Sequence, residues 1–213
     1  KLASLDLSGN FNPSCFPCVH AKSLQWLSRI TSLRNVNLGE IDLSEATDWM
    51  QIVNNLPFLE QLRMHECRLS PRILPSLSYA NCSTTLAVLV LSSNLFSDTS
   101  IYQWLFNLSQ ISTHIAHVDL QYNYLPGAIP SYFGNMQSLE YLDLSLNLIQ
   151  HKIPSALGNM SSLSYLSLIY NQLEGAIPET FSKLEHLEYL DLTDTIGTGK
   201  APLEHQSLVY LVG

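Results

Sequence analysis

The sequence predicts an α/β fold, a right-handed solenoid in which a concave parallel β-sheet is backed by short convex helices and turns. Leucine makes up 39 of the 213 residues. The leucines recur in a fixed frame, Leu139-Glu-Tyr-Leu142-Asp-Leu144-Ser-Leu-Asn147, which returns 24 positions later and again after another 24. An Ile-Pro pair follows the frame at a constant offset, as at Ile153-Pro154. A unit of this length cannot bury its apolar face alone, so successive copies must stack.

We expect residues 1–213 to form a single solenoid of about eight repeats without capping units. Their frames start near Leu2, Leu33, Leu59, Leu86, Ile115, Leu139, Leu163 and Leu187. The first five frames are separated by 31, 26, 27 and 29 residues, and the later ones by 24. The eighth repeat is degenerate, because Thr195, Gly197 and Ala201 replace the expected Asn, Leu and Ile. We expect the packing to be loosest there.

Each part of a repeat has a physical role. Leu-x-x-Leu-x-Leu places apolar residues two apart, the period of a strand with one buried face. The Asn that follows turns the chain, and the stacked amides form a buried ladder that must be fully hydrogen-bonded, since an unpaired amide costs about 1–3 kcal/mol. Cys67 occupies this Asn position, and we interpret it as a structural thiol. The proline ends any strand on the outer side, and a stretch such as residues 131–138 returns as a short helix or turn.

The longer early repeats have room for convex α-helices. Trp49, Ile52, Val53 and Leu56 follow helical spacing, with Ser44 as the predicted N-cap and Pro57 as the stop. The same spacing recurs at Ile101, Trp104, Leu105 and Leu108. We interpret both tryptophans as helix packing and not as ligand contacts. Residues 11–22 contain two prolines and two cysteines and fit no repeat, which indicates a surface insertion.

Composition and motifs exclude several functions. The chain has 10 basic and 18 acidic residues and a net charge of −8, so it lacks the basic stripe that binds nucleic acid. It also lacks the basic clusters that bind an anionic membrane surface, and we expect no membrane contact by this segment. We find no paired carboxylates, Ser/His/Asp set or metal-ligating cluster. We therefore expect no enzyme activity, no cofactor and no metal.

The motif Leu-x-x-Leu-x-Leu-x-x-Asn-x-Leu-x-Gly-x-Ile-Pro resembles the plant-specific leucine-rich repeat. Residues 124–130 and 172–178 carry its second half, and residues 41–69 resemble the N-terminal part of plant receptor-like proteins of the ethylene-inducing-xylanase receptor type. The resemblance covers nearly the whole chain. It implies a single-pass protein at the extracellular face of the plasma membrane, which binds a secreted protein or peptide and signals through a co-receptor kinase in defence or development.

The chain begins and ends inside a repeat, so we expect a soluble segment of a longer ectodomain or a truncated gene product. Two alternatives stay open. One is a soluble inhibitor similar to polygalacturonase-inhibiting proteins, which keep nearly uniform 24-residue repeats and are therefore disfavoured by the early spacings. The other is a truncated product without independent function, which the missing caps favour.

Unusual residues at the outward strand positions predict the ligand-facing surface. Arg63, His65 and Glu66 form a charged cluster on the third strand. Aromatic and aliphatic side chains replace Ser or Gly at Tyr122, Leu146, Ile169 and Tyr170. Tyr141, Tyr165 and Tyr189 share one register and should stack about 5 Å apart. A Tyr-rich stripe is typical of protein interfaces, although tyrosine pairs can also serve the sheet alone. Our hypothesis is a contact surface for a protein or peptide.

Three sequons predict N-glycosylation of a secreted protein: Asn81, Asn107 and Asn159. In such a protein, Cys15 and Cys18 are expected to form disulfides, either with each other or with segments outside this chain. Cys82 is left unassigned.

Overall fold

The computed structural model describes residues 1–10, 19–69 and 82–193. These described residues form eleven strands: β1 Ser4–Asp6, β2 Asn35–Asn37, β3 Gln61–Arg63, β4 Val88–Val90, β5 His117–Asp119, β6 Pro126–Gly127, β7 Tyr141–Asp143, β8 Leu148–Lys152, β9 Tyr165–Ser167, β10 Gln172–Glu174 and β11 Tyr189–Asp191. Eight of them form one parallel sheet in the order β1-β2-β3-β4-β5-β7-β9-β11. Each strand pairs in parallel with that of the next repeat. The predicted α/β solenoid is confirmed.

Helices lie on the opposite side of the repeats. The described residues form two α-helices, α1 Trp49–Val53 and α2 Ser100–Ile111, both in the long early repeats. The 3-10 helices span Gln25–Arg29, Ser131–Asn135, Ser155–Asn159 and Glu179–Lys183. The predicted short helix after each Ile-Pro pair is therefore confirmed, since each of the last three begins directly after the proline.

The prediction that tryptophans pack the convex helices is also confirmed. Trp49 and Trp104 are 2% and 1% exposed, and their rings meet edge to face with centroids 5.4 Å apart. The predicted N-cap of α1 was wrong, because the helix begins at Trp49 with Asp48 as its N-cap residue. The Asp48 carboxylate instead accepts hydrogen bonds from Ser23 Oγ and the Leu24 amide of the preceding repeat.

A second sheet was missed by the sequence reasoning. Strands β6, β8 and β10 pair in parallel in the order β10-β8-β6. They lie between the ladder asparagine and the Ile-Pro pair, and β8 ends two residues before Pro154. All three strands end before the Ile-Pro proline of their repeat, and they pair with the strands of the neighbouring repeats.

The buried asparagine ladder is confirmed. Asn147 Nδ2 donates to the carbonyl of Leu120 in the preceding repeat at 3.0 Å and to those of Leu144 and Ser145 in its own. Its Oδ1 accepts from the Leu125 amide at 3.0 Å. Equivalent bonds are made by Asn94, Asn123 and Asn171. Each amide therefore joins two repeats and satisfies backbone groups that no strand pairs.

Cys67 takes the place of an asparagine in this ladder, as predicted. Its Sγ lies 3.0 Å from the Leu38 carbonyl of the preceding repeat and 3.3 Å from that of His65. Burial raises the pKa of the Cys67 thiol to about 12, so it remains a protonated donor. Cys67 and Cys82 are free thiols. Predictions on the following residues lie outside the described ranges: Cys15, Cys18, Asn81, Thr195, Gly197 and Ala201.

Candidate ligand-binding face

A left-handed turn follows seven strands of the main sheet, β1 to β5, β7 and β9. The residue before the asparagine-ladder position, such as Leu146 before Asn147, has a positive φ of 52–69° in seven repeats: Gly9, Glu40, Glu66, Ser93, Tyr122, Leu146 and Tyr170. A non-glycine residue pays about 1–2 kcal/mol for this conformation. Three repeats nevertheless place a bulky apolar side chain there, and Tyr122, Leu146 and Tyr170 are 60%, 38% and 49% exposed.

Four aromatic rings stack on the outward face of β5, β7, β9 and β11. The ring centroids of Tyr141 and Tyr165 lie 4.2 Å apart, and those of Tyr165 and Tyr189 lie 4.4 Å apart. The predicted tyrosine ladder is confirmed. It begins with His117, whose ring stacks on Tyr141 at 4.0 Å. We call these four residues the aromatic ladder.

His117 was not among the residues that the sequence predicted to face a ligand. Its place in the frame, two residues after Ile115, is the place that Tyr141 holds after Leu139. Alignment of the repeats by frame would have found it. Burial lowers the pKa of His117, with a smaller opposing effect from the Asp119 carboxylate, so the ring stacks as a neutral imidazole near neutral pH.

Carboxylates lie beside the ladder. Asp119, Asp143 and Asp191 are buried and occupy the next outward position of their strands, where β9 has Ser167. Asp143 Oδ1 accepts from the Ser145 amide and hydroxyl at 2.9 and 2.6 Å. Burial raises the pKa of Asp143, because its charge is poorly solvated.

The ladder hydroxyls are directed at these carboxylates. Tyr141 Oη donates to Asp143 Oδ2 at 3.3 Å, and Tyr189 Oη donates to Asp191 Oδ2 at 3.0 Å. Burial, with the neighbouring Asp191, raises the pKa of Tyr189 to about 12, so the phenol stays neutral. A phenol that donates to a carboxylate keeps acceptor lone pairs, which can receive an N–H from another molecule.

The predicted charged cluster is divided among separate neighbours. Arg63 is half-buried and donates to Gln61 Oε1 at 2.5 Å. The His65 ring covers Gly39, where an added Cβ would lie 2.1 Å from the ring, and its Nε2 lies 3.8 Å from Glu40 Oε1. Glu66 is exposed on its left-handed turn. These three residues therefore share a face but have different neighbours, Gln61 for Arg63 and Gly39 with Glu40 for His65.

An exposed apolar strip borders the concave face. It consists of two rows from consecutive repeats, each 38–60% exposed: Leu95, Tyr124 and Leu148 in one row, and Tyr122, Leu146 and Tyr170 in the other. A groove of about 440 Å³ lies at one end, between Glu66, Arg68 and Tyr122. Ile169 is half-buried and lies next to Tyr170.

The two described sequons differ in accessibility. Asn159 is exposed at the end of the 3-10 helix Ser155–Asn159. Asn107 is half-buried within α2, where its Oδ1 accepts from Gln103 Nε2 at 3.3 Å. Asn159 is the better placed acceptor for a glycan.

The described ranges hold neither a metal-binding cluster nor a membrane-spanning helix. No group of three or more His, Cys, Asp or Glu side chains in them is arranged to hold a metal ion. None of their helices combines the length and apolar character required to cross a membrane.

Comparison with known proteins agrees with this architecture. The leucine rich repeat family model matches residues 113–173 and 154–195. Receptor-like protein EIX1 of Solanum lycopersicum is 36% identical over 121 residues, 56% of this chain and 11% of the relative. Receptor-like protein EIX2 of the same plant is 36% identical over 98 residues, 46% of this chain and 9% of the relative. The chain thus matches about a tenth of the length of these relatives.

A solved receptor ectodomain shares the fold. The Arabidopsis receptor kinase HAESA, in complex with the peptide hormone IDA and the co-receptor SERK1, superposes with a TM-score of 0.60 and 27% identity. The match covers 78% of this chain and 26% of that one. The repeats, the asparagine ladder and the parallel sheet define a leucine-rich-repeat fold. In sequence, the chain is similar to a segment of the plant leucine-rich-repeat receptor-like proteins, as predicted.

Proposed function

We propose that this chain is a ligand-recognition segment of a plant cell-surface receptor-like protein, which binds a secreted protein or peptide at the extracellular face of the plasma membrane and catalyses no reaction. The observation that carries the proposal is the aromatic ladder on the concave face. Tyrosine is enriched at protein interfaces because its rigid ring supplies contact area at low entropic cost.

The stacking determines which part of each ring a ligand can contact. Because the centroids are 4.0–4.4 Å apart, the faces of the inner rings are covered by their neighbours. The ladder therefore offers ring edges and hydroxyl groups along its length. Such a surface suits a polypeptide, which supplies apolar side chains for the edges and N–H donors for the hydroxyl oxygens.

Known relatives support the choice of partners. The HAESA complex contains a peptide hormone and a co-receptor, and by analogy we propose a peptide-class ligand and a co-receptor kinase for the protein that contains this segment. We also propose a role in defence or development, supported by the similarity to the tomato receptor-like proteins. Both assignments rest on similarity.

Selection from a phage-displayed random peptide library on the 213-residue chain tests the binding role. We expect enriched peptides to lose at least about tenfold in affinity for Tyr141→Val and Tyr165→Val, since truncation of an interface aromatic often costs 2 kcal/mol or more. Valine is compatible with this register because Val88 occupies it in β4. Trp26→Ala is the matched control, because Trp26 is exposed (41%) on the convex side. Peptides that bind both ladder variants as well as the wild type would refute the proposal.

Glycosylation tests the extracellular assignment separately. When the chain is secreted from plant cells, we expect Asn159 to carry a glycan because it is exposed in an intact sequon. Asn159→Gln and Ser161→Ala should each remove the same endoglycosidase-sensitive mass, whereas Asn135→Gln should not, because Asn135 occupies the equivalent helix position without a sequon. An unmodified Asn159 in the secreted protein would contradict the assignment.

A further inference from the structure

The apolar strip is not explained by the fold. Its members Tyr122, Leu146 and Tyr170 occupy left-handed turns, where the first repeat has Gly9 and the fourth has Ser93. Their side chains are 38–60% exposed, so they do not contribute to the core. Bulky residues in a strained conformation that project into solvent in successive repeats are typical of a contact surface.

The surface beside the strip is acidic. Asp119, Asp143 and Asp191, which are 4–8% exposed, form the carboxylate row, in which Asp119 and Asp143 lie three residues before Tyr122 and Leu146. Glu140 and Glu188 are exposed where β7 and β11 begin. At the outward positions of residues 115–193, His117 is the single basic residue, and its neutral ring is part of the ladder. Lys152 lies on the second sheet, with its aliphatic stem packed over Gly175.

We infer that the apolar strip and the adjacent carboxylate row bind an extended, positively charged polypeptide segment that carries regularly spaced apolar side chains. This inference rests on the proposed recognition function and specifies the class of ligand. The charge complementarity selects Lys or Arg over Asp or Glu. The strip supplies apolar contact area, which is needed because an ion pair exposed to water contributes little binding free energy.

The spacing of the repeats sets the spacing in the ligand. Neighbouring strands lie about 4.8 Å apart, so Tyr122 and Tyr170, two repeats apart, are separated by about 10 Å. Three residues of a segment in the polyproline II conformation cover the same length at about 3.1 Å each, and this conformation returns to the same face every third residue. A segment that runs along the solenoid therefore places every third side chain over alternate repeats, and the residues between can reach the carboxylates.

Fluorescence anisotropy with synthetic peptides tests this inference on the intact chain. One probe carries Leu at every third position with Lys between, a second has Glu in place of each Lys, and a third has the Lys and Leu residues clustered in separate blocks. We expect the spaced Lys peptide to bind at least about tenfold more tightly than either of the others. Its affinity should fall as NaCl rises, because exposed charges are screened.

A glycine substitution removes a strip side chain without disturbing its turn. Tyr170→Gly places the residue found at position 9 in a backbone conformation that favours glycine, so folding should be retained. We expect at least about a tenfold loss of affinity for the spaced Lys peptide. Ser93→Gly makes the same backbone change in a repeat without a bulky side chain at the turn, and its affinity should stay within about twofold.

The charge is tested by an equally conservative change. Asn37 holds the position of Asp143 in its own strand, and its Oδ1 accepts from the Gly39 amide, so Asp143→Asn can keep the turn. We expect a loss of about threefold to tenfold and a weaker salt dependence. Asp6→Asn is the matched control, because Asp6 caps the same turn in the first repeat, far from the strip.

The outcomes separate the two proposals. If library-selected peptides depend on the aromatic ladder but show no preference for positive charge and no response to Tyr170→Gly, the inference is overturned and the recognition function stands. If no peptide in either experiment binds the concave face, the proposed function itself fails. Binding of the spaced Lys peptide that is equally strong for Tyr170→Gly, Asp143→Asn and the wild type also overturns the inference.

Discussion

The four early repeats and the later 24-residue repeats contribute strands to the same sheet, but they differ in the elements that cover its convex side. In residues 1–114 each repeat is 26–31 residues long, and α1 and α2 lie in this half of the described chain. Residues 115–193 use 3-10 helices and add the second sheet. The strands of the main sheet nevertheless stay in register from β1 to β11. Repeat length therefore changes the convex side and leaves the concave geometry constant.

The two halves also fill their convex sides differently. In the early half, Trp104 packs edge to face on Trp49 and donates from Nε1 to Asn54 Oδ1 at 3.1 Å. In the later half, backbones approach closely, and a Cβ added at Gly158 would lie 2.4 Å from the Thr180 carbonyl oxygen. Large rings separate the long repeats, whereas glycine allows short repeats to stack in backbone contact.

Removal of one side chain of the asparagine ladder from each half should produce the largest difference in the free energy of unfolding. Asn147→Ala leaves buried carbonyls of Leu120, Leu144 and Ser145 and the Leu125 amide short of a partner, at about 1–3 kcal/mol for each group left unsatisfied. We expect a loss of about 3–5 kcal/mol in the free energy of unfolding measured in urea. Cys67→Ala should cost about 1–2 kcal/mol, since a thiol is a weak donor. Equal losses would show that the rungs are energetically equivalent.

Close backbone stacking in the later half predicts the next largest effect. Gly158→Ala forces a methyl group against Thr180 backbone atoms, and overpacking of this kind costs about 1–3 kcal/mol. Gly9→Ala is the matched control, because an added methyl group meets nothing within 4 Å and the change costs only the positive φ, about 1–2 kcal/mol. Urea unfolding measures both. A Gly158→Ala variant no less stable than Gly9→Ala would disprove the stacking argument.

The strands, the asparagine ladder and the tyrosine stack were predictable because each requires a residue type at a fixed position in every repeat. The second sheet was not, since Leu148–Lys152 has no apolar alternation of its own and is held by bonds to neighbouring repeats. The cap of α1 was missed for a related reason, because the Asp48 carboxylate bonds to Leu24 of another repeat. The sequence motif of one repeat therefore does not predict the interactions between repeats.

The candidate site likewise combines features that the sequence predicted with features that it did not. Register alone placed Tyr141, Tyr165 and Tyr189 in one stack. The left-handed conformation of Tyr122 and Leu146 could not be predicted, because bulky residues usually avoid it. It follows from the turn that the first seven repeats make before their asparagine-ladder position.

The smallest expected effect concerns His117, the member of the aromatic ladder that titrates nearest to neutral pH. Because burial lowers the folded-state pKa of His117, protonation favours the unfolded chain. The stability that the neutral ring provides is present above the ordinary pKa of 6.5 and is lost as the pH falls through the lowered value. His117→Tyr completes the tyrosine ladder and removes this titration. We expect the Tm of the wild type to fall by about 1–3 °C more than that of the variant between pH 7.5 and pH 5, since 1 kcal/mol corresponds to about 2–4 °C at this size. His186→Tyr, at an exposed position outside the ladder, should keep the wild-type pH dependence. If His117→Tyr also keeps it, His117 does not couple the ladder to pH.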